Sequence, residues 1–143
     1  MCAGEIGHMP INEHGPKCNC GGIACIERYI GNRYILQNVR KRFGRHITFK
    51  ELDVLANNGN KKAIGIWKDV GNKLGIVVTG VVNMLNPDMV IIGGGISKAG
   101  ELIIGPLRKR VKMYAMKDQS RHVKIVSARL GNDAGLIGAT LLI

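Results

Sequence analysis

The sequence predicts an α/β domain, and three observations carry that reading. A short apolar run, Met89 to Ile92, leads straight into Gly93-Gly94-Gly95-Ile96-Ser97 and then into an amphipathic stretch through Leu102, Leu107, Val111 and Tyr114. A second strand-like run, Val123 to Ser127, follows, and a final helix from Asp133 to Leu142 completes a β-α-β-α order. Helices that cross between parallel strands bury their apolar stripe on the sheet, so that order implies a parallel pair. The third observation is size: 143 residues with 45% hydrophobic content and 4% aromatics bury one ordinary, aliphatic core, so one domain is expected over 1–143.

The N-terminal element is a turn rich in metal-ligand chemistry. Cys18, Cys20 and Cys25 fall within eight residues, and C-x-C-x4-C places three sulfurs on one tight turn in which Gly21 and Gly22 let the backbone curl. His8 or His14 would complete a Cys3His set for tetrahedral Zn²⁺. Disulfides are the competing reading, but Cys18 and Cys20 are too close to pair easily and no secretory signal precedes them. Reduced cytosolic thiols suit zinc. Cys2, at the extreme N-terminus, reads as a free thiol. A metal clip here would hold Glu5 and Glu27 rigidly near each other, and rigid carboxylates bind hydroxyls.

Four helices are expected before the final one. Ile26, Ile30, Tyr34 and Ile35 give helical periodicity across Ala24 to Asn38, interrupted by Gly31, with Glu27 in the first turn and a basic run at the end. Thr48 followed by Glu51 is a capping box, opening a short helix through Leu52 and Leu55 to Ala56 that stops at Asn57-Asn58-Gly59. Ala63, Trp67, Val70, Leu74, Val77, Val81 and Leu85 then recur at three- and four-residue steps until Asn86-Pro87 ends the run. Gly71 and Gly75, four apart, predict close packing against a neighbouring helix.

Strand, glycine turn, helix is also a phosphate-loop arrangement. Glycines let a nucleotide lie against the backbone, and the next helix N-terminus offers unpaired N–H groups. The turn lacks both G-x-G-x-x-G and G-x4-G-K-[ST], so by itself it is equally a plain tight turn.

The net charge of +11 gathers at Arg40-Lys41-Arg42 to Arg45 and at Arg108-Lys109-Arg110 to Lys112. No helix-turn-helix pattern, aromatic stacking set or C2H2 spacing accompanies it, so these read as solvated helix faces and not as a nucleic-acid interface. The apolar run from Ile76 to Leu85 is broken by Gly80 and Asn83 and is too short to cross a bilayer. A soluble, cytoplasmic chain with no membrane partner is expected.

Four motifs together resemble one family. Gly4-Glu5-Ile6-Gly7-His8-Met9, the run from Cys18 to Glu27, Asn86-Pro87-Asp88 through Ile96, and Leu130 to Ala139 are similar, in order and across nearly the whole chain, to the C-terminal half of ROK-family proteins. That family comprises bacterial-type sugar kinases, many of them glucokinases, and sugar-responsive repressors, on the two-domain actin/hexokinase-like (ribonuclease H-like) fold. The resemblance implies His8, Cys18, Cys20 and Cys25 as ligands of a structural zinc, with the zinc-binding turn at 8–27. It implies Glu5, His8 and Glu27 as sugar-hydroxyl ligands, and Gly93, Gly94 and Gly95 as the adenosine-side turn. Asp133, in the last motif, reads as a helix cap.

The departures from the family pattern weigh equally. Its Asp-Gly-Gly-Thr phosphate loop, its second glycine-rich phosphate motif and the aspartate base all precede the Glu-x-Gly-His motif, and none has a counterpart here. The expectation is therefore a C-terminal portion without the N-terminal domain, inactive alone, with no catalytic residue of its own. The complete protein would transfer the γ-phosphate of ATP, with Mg²⁺, to a hexose, glucose being the expected one. The alternatives are the sugar-sensing part of a repressor, or a zinc-stabilised domain whose bared apolar surface drives homo-oligomers.

Overall fold

A computed structural model describes residues 3–130 and 134–140. The readings of Cys2 as a free thiol and of Asp133 as a cap fall outside the described residues.

The turn region comes first, built on a short 3-10 helix at Ile6–His8 and two isolated antiparallel bridges, Pro10 with Cys25 and Lys17 with Ile23. Helix α1 (Glu27–Ile30) and helix α2 (Asn32–Phe43) follow. The interruption read at Gly31 is a full break between two helices, and Ala24 to Ile26 belong to the turn. Gly31 divides them with an extended backbone, φ −60° and ψ 145°. Helix α2 ends on Gly44 in the left-handed conformation, φ 69°, after its basic last turn, Arg40, Lys41 and Arg42.

Helix α3 (Phe49–Asn57) opens on the predicted capping box: the Thr48 hydroxyl accepts from the Glu51 N–H at 3.2 Å, and Glu51 Oε2 accepts from the Thr48 N–H at 2.7 Å. The Thr48 N–H, then its hydroxyl, hold the Glu51 carboxyl below its ordinary range. Helix α4 (Lys61–Leu85) starts at Asn60, whose side chain caps Lys62 and Ala63, and stops where Asn86 turns left-handed ahead of Pro87.

Strand β1 (Met89–Ile92) pairs in parallel with strand β2 (Lys124–Ser127), Met89 opposite Lys124 and Ile92 opposite Ser127. Between them lie helix α5 (Glu101–Tyr114) and helix α6 (Lys117–His122). Helix α6 has no apolar periodicity in the sequence and was not expected from it. Helix α7 (Ala134–Thr140) follows β2.

Two apolar clusters hold these elements. Ile26, Ile35, Val39, Leu52, Ile66, Trp67 and Ile103 knit the turn and helices α2 to α5 together. Val78, Val82, Leu107, Val111 and Ile125 dock the strand pair on helices α4 and α5. The cores are aliphatic, as the composition requires.

Helices α4 and α5 meet at the two glycines. A Cβ at Gly71 would lie 3.1 Å from the Ile103 Cα, and one at Gly75 would lie 2.7 Å from the Arg110 Cβ. The four-residue glycine spacing is therefore a packing device. On the strand pair, Val90 and Ile92 pack inward while Met89 and Ile91 stay 47% and 61% exposed, so one sheet face is uncovered among the described residues.

Candidate metal centre and its neighbouring carboxylates

Three backbone constraints shape the cysteine turn. The Cys18 N–H bonds to the Gly22 carbonyl at 2.8 Å and the Gly21 N–H returns to the Cys18 carbonyl at 3.1 Å, which requires Gly21 at φ 93°. Ala24 is also left-handed, φ 56°, and fully buried. The Ile26 N–H bonds to Met9 and the Ile11 N–H to Ala24, so the segment carrying His8 is laid against the one carrying Cys25.

The result is a cluster. One ligand atom from each of His8, Cys18, Cys20 and Cys25 lies within 4.8 Å of every other. His8 Nδ1 is 3.6 Å from Cys18 Sγ, and Cys20 Sγ is 3.6 Å from Cys25 Sγ. A zinc ion bound at about 2.3 Å to sulfur and about 2.0 Å to nitrogen sets neighbouring tetrahedral ligands roughly 3.5–3.8 Å apart. The donor set and these two edges fit that ion. Of the two histidines the sequence left open, the structure brings His8 to the sulfurs; His14 is not in the cluster.

The thiols differ in their hold on a proton. The Cys20 N–H beside Cys18 brings its pKa down to about 7 against the opposing effect of burial, while burial pushes Cys25 up to about 11. Four donors this close need either shared protons or a cation.

Glu5 stands on the outer side of the histidine. His8 turns Nδ1 to the sulfurs and Nε2 outward, 3.9 Å from Glu5 Oε2. Glu27 lies beside the same turn: its Oε2 is 3.9 Å from where a Cβ on Gly7 would stand. Its Cδ would be only 2.7 Å from a Cβ on Gly31, so the side chain folds back across that glycine. Glu5 and Glu27 are both exposed. The arrangement presents two acceptor-only groups and one ring nitrogen toward solvent, a set that receives hydroxyl donors.

Gly93, Gly94 and Gly95 lie elsewhere, at the end of β1. Gly94 is positive, φ 76°, and its carbonyl accepts from the Ser97 hydroxyl at 2.8 Å and the Ser97 N–H at 3.2 Å. The element that follows at once is a short 3-10 helix, Gly95–Ala99, and only after Gly100 does α5 begin. The expected direct entry into a long helix is therefore interrupted. Gly95 lines a cavity of about 370 Å³ with Ile96, Lys98, Asn32, Phe49, Asp53 and Trp67. Sequence reasoning did not single out Asp53; its signal was a carboxylate four residues after Phe49, on a helix whose other inward positions are apolar.

The chain is an α/β domain with a Cys3His cluster that could hold a metal ion, beside two exposed carboxylates. The ROK family profile matches residues 2–143, and the chain belongs to the ROK family. It is 34% identical to a glucokinase of Thermotoga maritima, covering 97% of this chain and 48% of that protein. It is 30% identical to a putative xylose repressor of a Caldicellulosiruptor species, covering 99% of this chain and 39% of the repressor. The structure of a ROK glucokinase from Streptomyces griseus in complex with glucose and AMPPNP superposes with a TM-score of 0.85 at 27% identity, over 98% of this chain and 51% of that one. The chain thus spans about half the length or less of the curated relatives it matches. Among the described residues, no helix is long and apolar enough to cross a membrane.

Proposed function

We propose that this chain is the sugar-side wall of a glucokinase-like ROK sugar kinase. The complete protein transfers the γ-phosphate of ATP to a hexose, with glucose the expected acceptor. The observation that carries this reading is the orientation of His8, with one ring nitrogen on the thiol cluster and the other beside Glu5.

Each residue then has a role. His8, Cys18, Cys20 and Cys25 hold a structural zinc, which cross-links the turn and fixes the imidazole in one tautomer. Glu5 and Glu27 accept hydrogen bonds from neighbouring sugar hydroxyls, and His8 Nε2–H donates to one. Together they orient the acceptor hydroxyl, and positioning supplies much of the rate in phosphoryl transfer. Gly93, Gly94 and Gly95 accept the nucleoside side of ATP. The base that deprotonates the hydroxyl and the loops that hold the triphosphate with Mg²⁺ come from the remainder of the complete protein. The exposed Met89 and Ile91 face is where that remainder, or a second copy, is expected to pack.

The experiment is complementation. Adding the preceding portion of the protein is expected to give ATP-dependent phosphorylation of glucose; a well-folded complex that stays inactive contradicts the reading. The match to a xylose repressor supports a second one, in which the same wall senses a sugar. Specific, salt-dependent DNA binding by the complete protein, absent in a kinase, decides between them.

A further inference from the structure

The last turn of helix α5 presents apolar side chains to solvent among cations. Met113 and Tyr114 are 62% and 57% exposed there, and Met116, just beyond the helix, is 60% exposed. The Met116 N–H bonds to Asn83 Oδ1 at 2.9 Å, which holds this turn against helix α4. A cleft of about 340 Å³ lies between the two helices, with Pro106, Met113 and Tyr114 as its apolar lining and Lys68, Lys109 and Arg110 as its charges. The Arg110 guanidinium stands 4.5 Å from the centre of the Tyr114 ring. One residue along α5, Lys112 shares a second hollow with Lys117, Ser120 and Arg121. No carboxylate lines either hollow, and none of these six cations has an ion-pair partner among the described residues.

We propose that this face of α5 docks an acidic segment of another protein, one that brings an apolar anchor along with its carboxylates. Unpaired cations favour a negative partner and steer its approach. Tyrosine, arginine and methionine are the residues that interfaces concentrate, and a methionine side chain adapts to the shape of an apolar anchor. A phosphodiester backbone would satisfy the cations and leave Met113 and Met116 without a partner. A second copy of this chain, paired about a two-fold axis, would set the cations against themselves. The patch also lies on the helical side of the strand pair, opposite Met89 and Ile91, so it stays free when that sheet face is covered.

The probe is a fluorescein-labelled peptide of Glu and Asp around a central Leu-Phe pair, titrated with the chain and followed by anisotropy. Beside it run a version with Gln and Asn for the acids, a version with Ser-Ser at the centre, a duplex DNA of random sequence and phosphatidylserine vesicles. Saturable binding of the first peptide is expected, weakened on the order of 10- to 100-fold by loss of either its acids or its apolar pair. Lys109→Glu with Lys112→Glu is expected to weaken it as much, while Arg40→Glu with Lys41→Glu, an equal change of charge on helix α2, leaves it within a few-fold. All four of these side chains are exposed, so the fold does not depend on them. Equal losses in the two double variants would reduce the effect to net charge and overturn the site. A Ser-Ser peptide that binds as well, tighter binding to the DNA or the vesicles, or no binding of the first peptide overturns the proposal.

Discussion

Gly31 is the residue on which the placement of Glu27 depends. A methyl group there would collide with the Glu27 side chain and with its backbone carbonyl oxygen, each at 2.7 Å, so the carboxylate lies where it does because that position has no Cβ. We predict that Gly31→Ala in the complete protein raises the KM for the hexose on the order of 10- to 100-fold and leaves the bound metal unchanged. An unaltered KM, with zinc retained, would show that Glu27 does not hold sugar. At this scale much was legible: the cysteine spacing brought three sulfurs to one turn, and the flanking carboxylates were visible as neighbours in the chain. Spacing alone did not choose between His8 and His14, because each precedes the cysteines at a workable distance; the family resemblance pointed to His8. The choice is made by the hydrogen bond from Ile26 to Met9, a pairing no local pattern encodes. Asp53 was hidden for a similar reason, since the wall opposite it comes from Trp67 on another helix and from the loop after β1.

Among the elements, the contact between helices α4 and α5 sets how closely the two layers approach. Alanine is the better helix former by about 1 kcal/mol, which alone would make Gly71→Ala stabilising. The new methyl would instead press on the Ile103 backbone, which cannot swing aside as a side chain can. We predict a net loss of about 1–3 kcal/mol, read from the denaturant midpoint. A gain in stability would mean that the helices slide apart at little cost. Element boundaries followed the sequence where a side chain caps the backbone, as at Thr48 and Asn60, or where the chain must stop, as at Asn86-Pro87. The interruption at Gly31 was also visible, and the boundaries departed from the sequence at Gly94 to Gly100, where left-handed glycines and a 3-10 turn delay the start of the long helix. Helix α6 has polar residues throughout and rests on its neighbours, so its sequence carries no stripe to read.

Over the whole molecule, the aliphatic helical core and the cysteine turn are packed as one unit. The core holds helix α1 and strand β1 at fixed positions, and Cys25 of the turn leads directly into the first of these. The parallel pair and its crossover were readable from the alternation of apolar runs and glycine turns, because that order has few compact solutions. The uncovered β1 face was anticipated only as unspecified apolar surface; which side chains it bears depends on the strand register, Met89 and Ile91 outward, Val90 and Ile92 inward. The charge of +11 does not mark the site: its largest clusters lie on α2 and α5, away from the thiols.

On the function proposed above, the thiol cluster with His8 is a metal clip that organises the carboxylates beside it. Elemental analysis of the purified chain tests it most directly. The account predicts about one zinc per chain, lost in Cys18→Ser and on chelation together with the order of the 8–27 turn. Metal-free protein with that turn fully folded would contradict it.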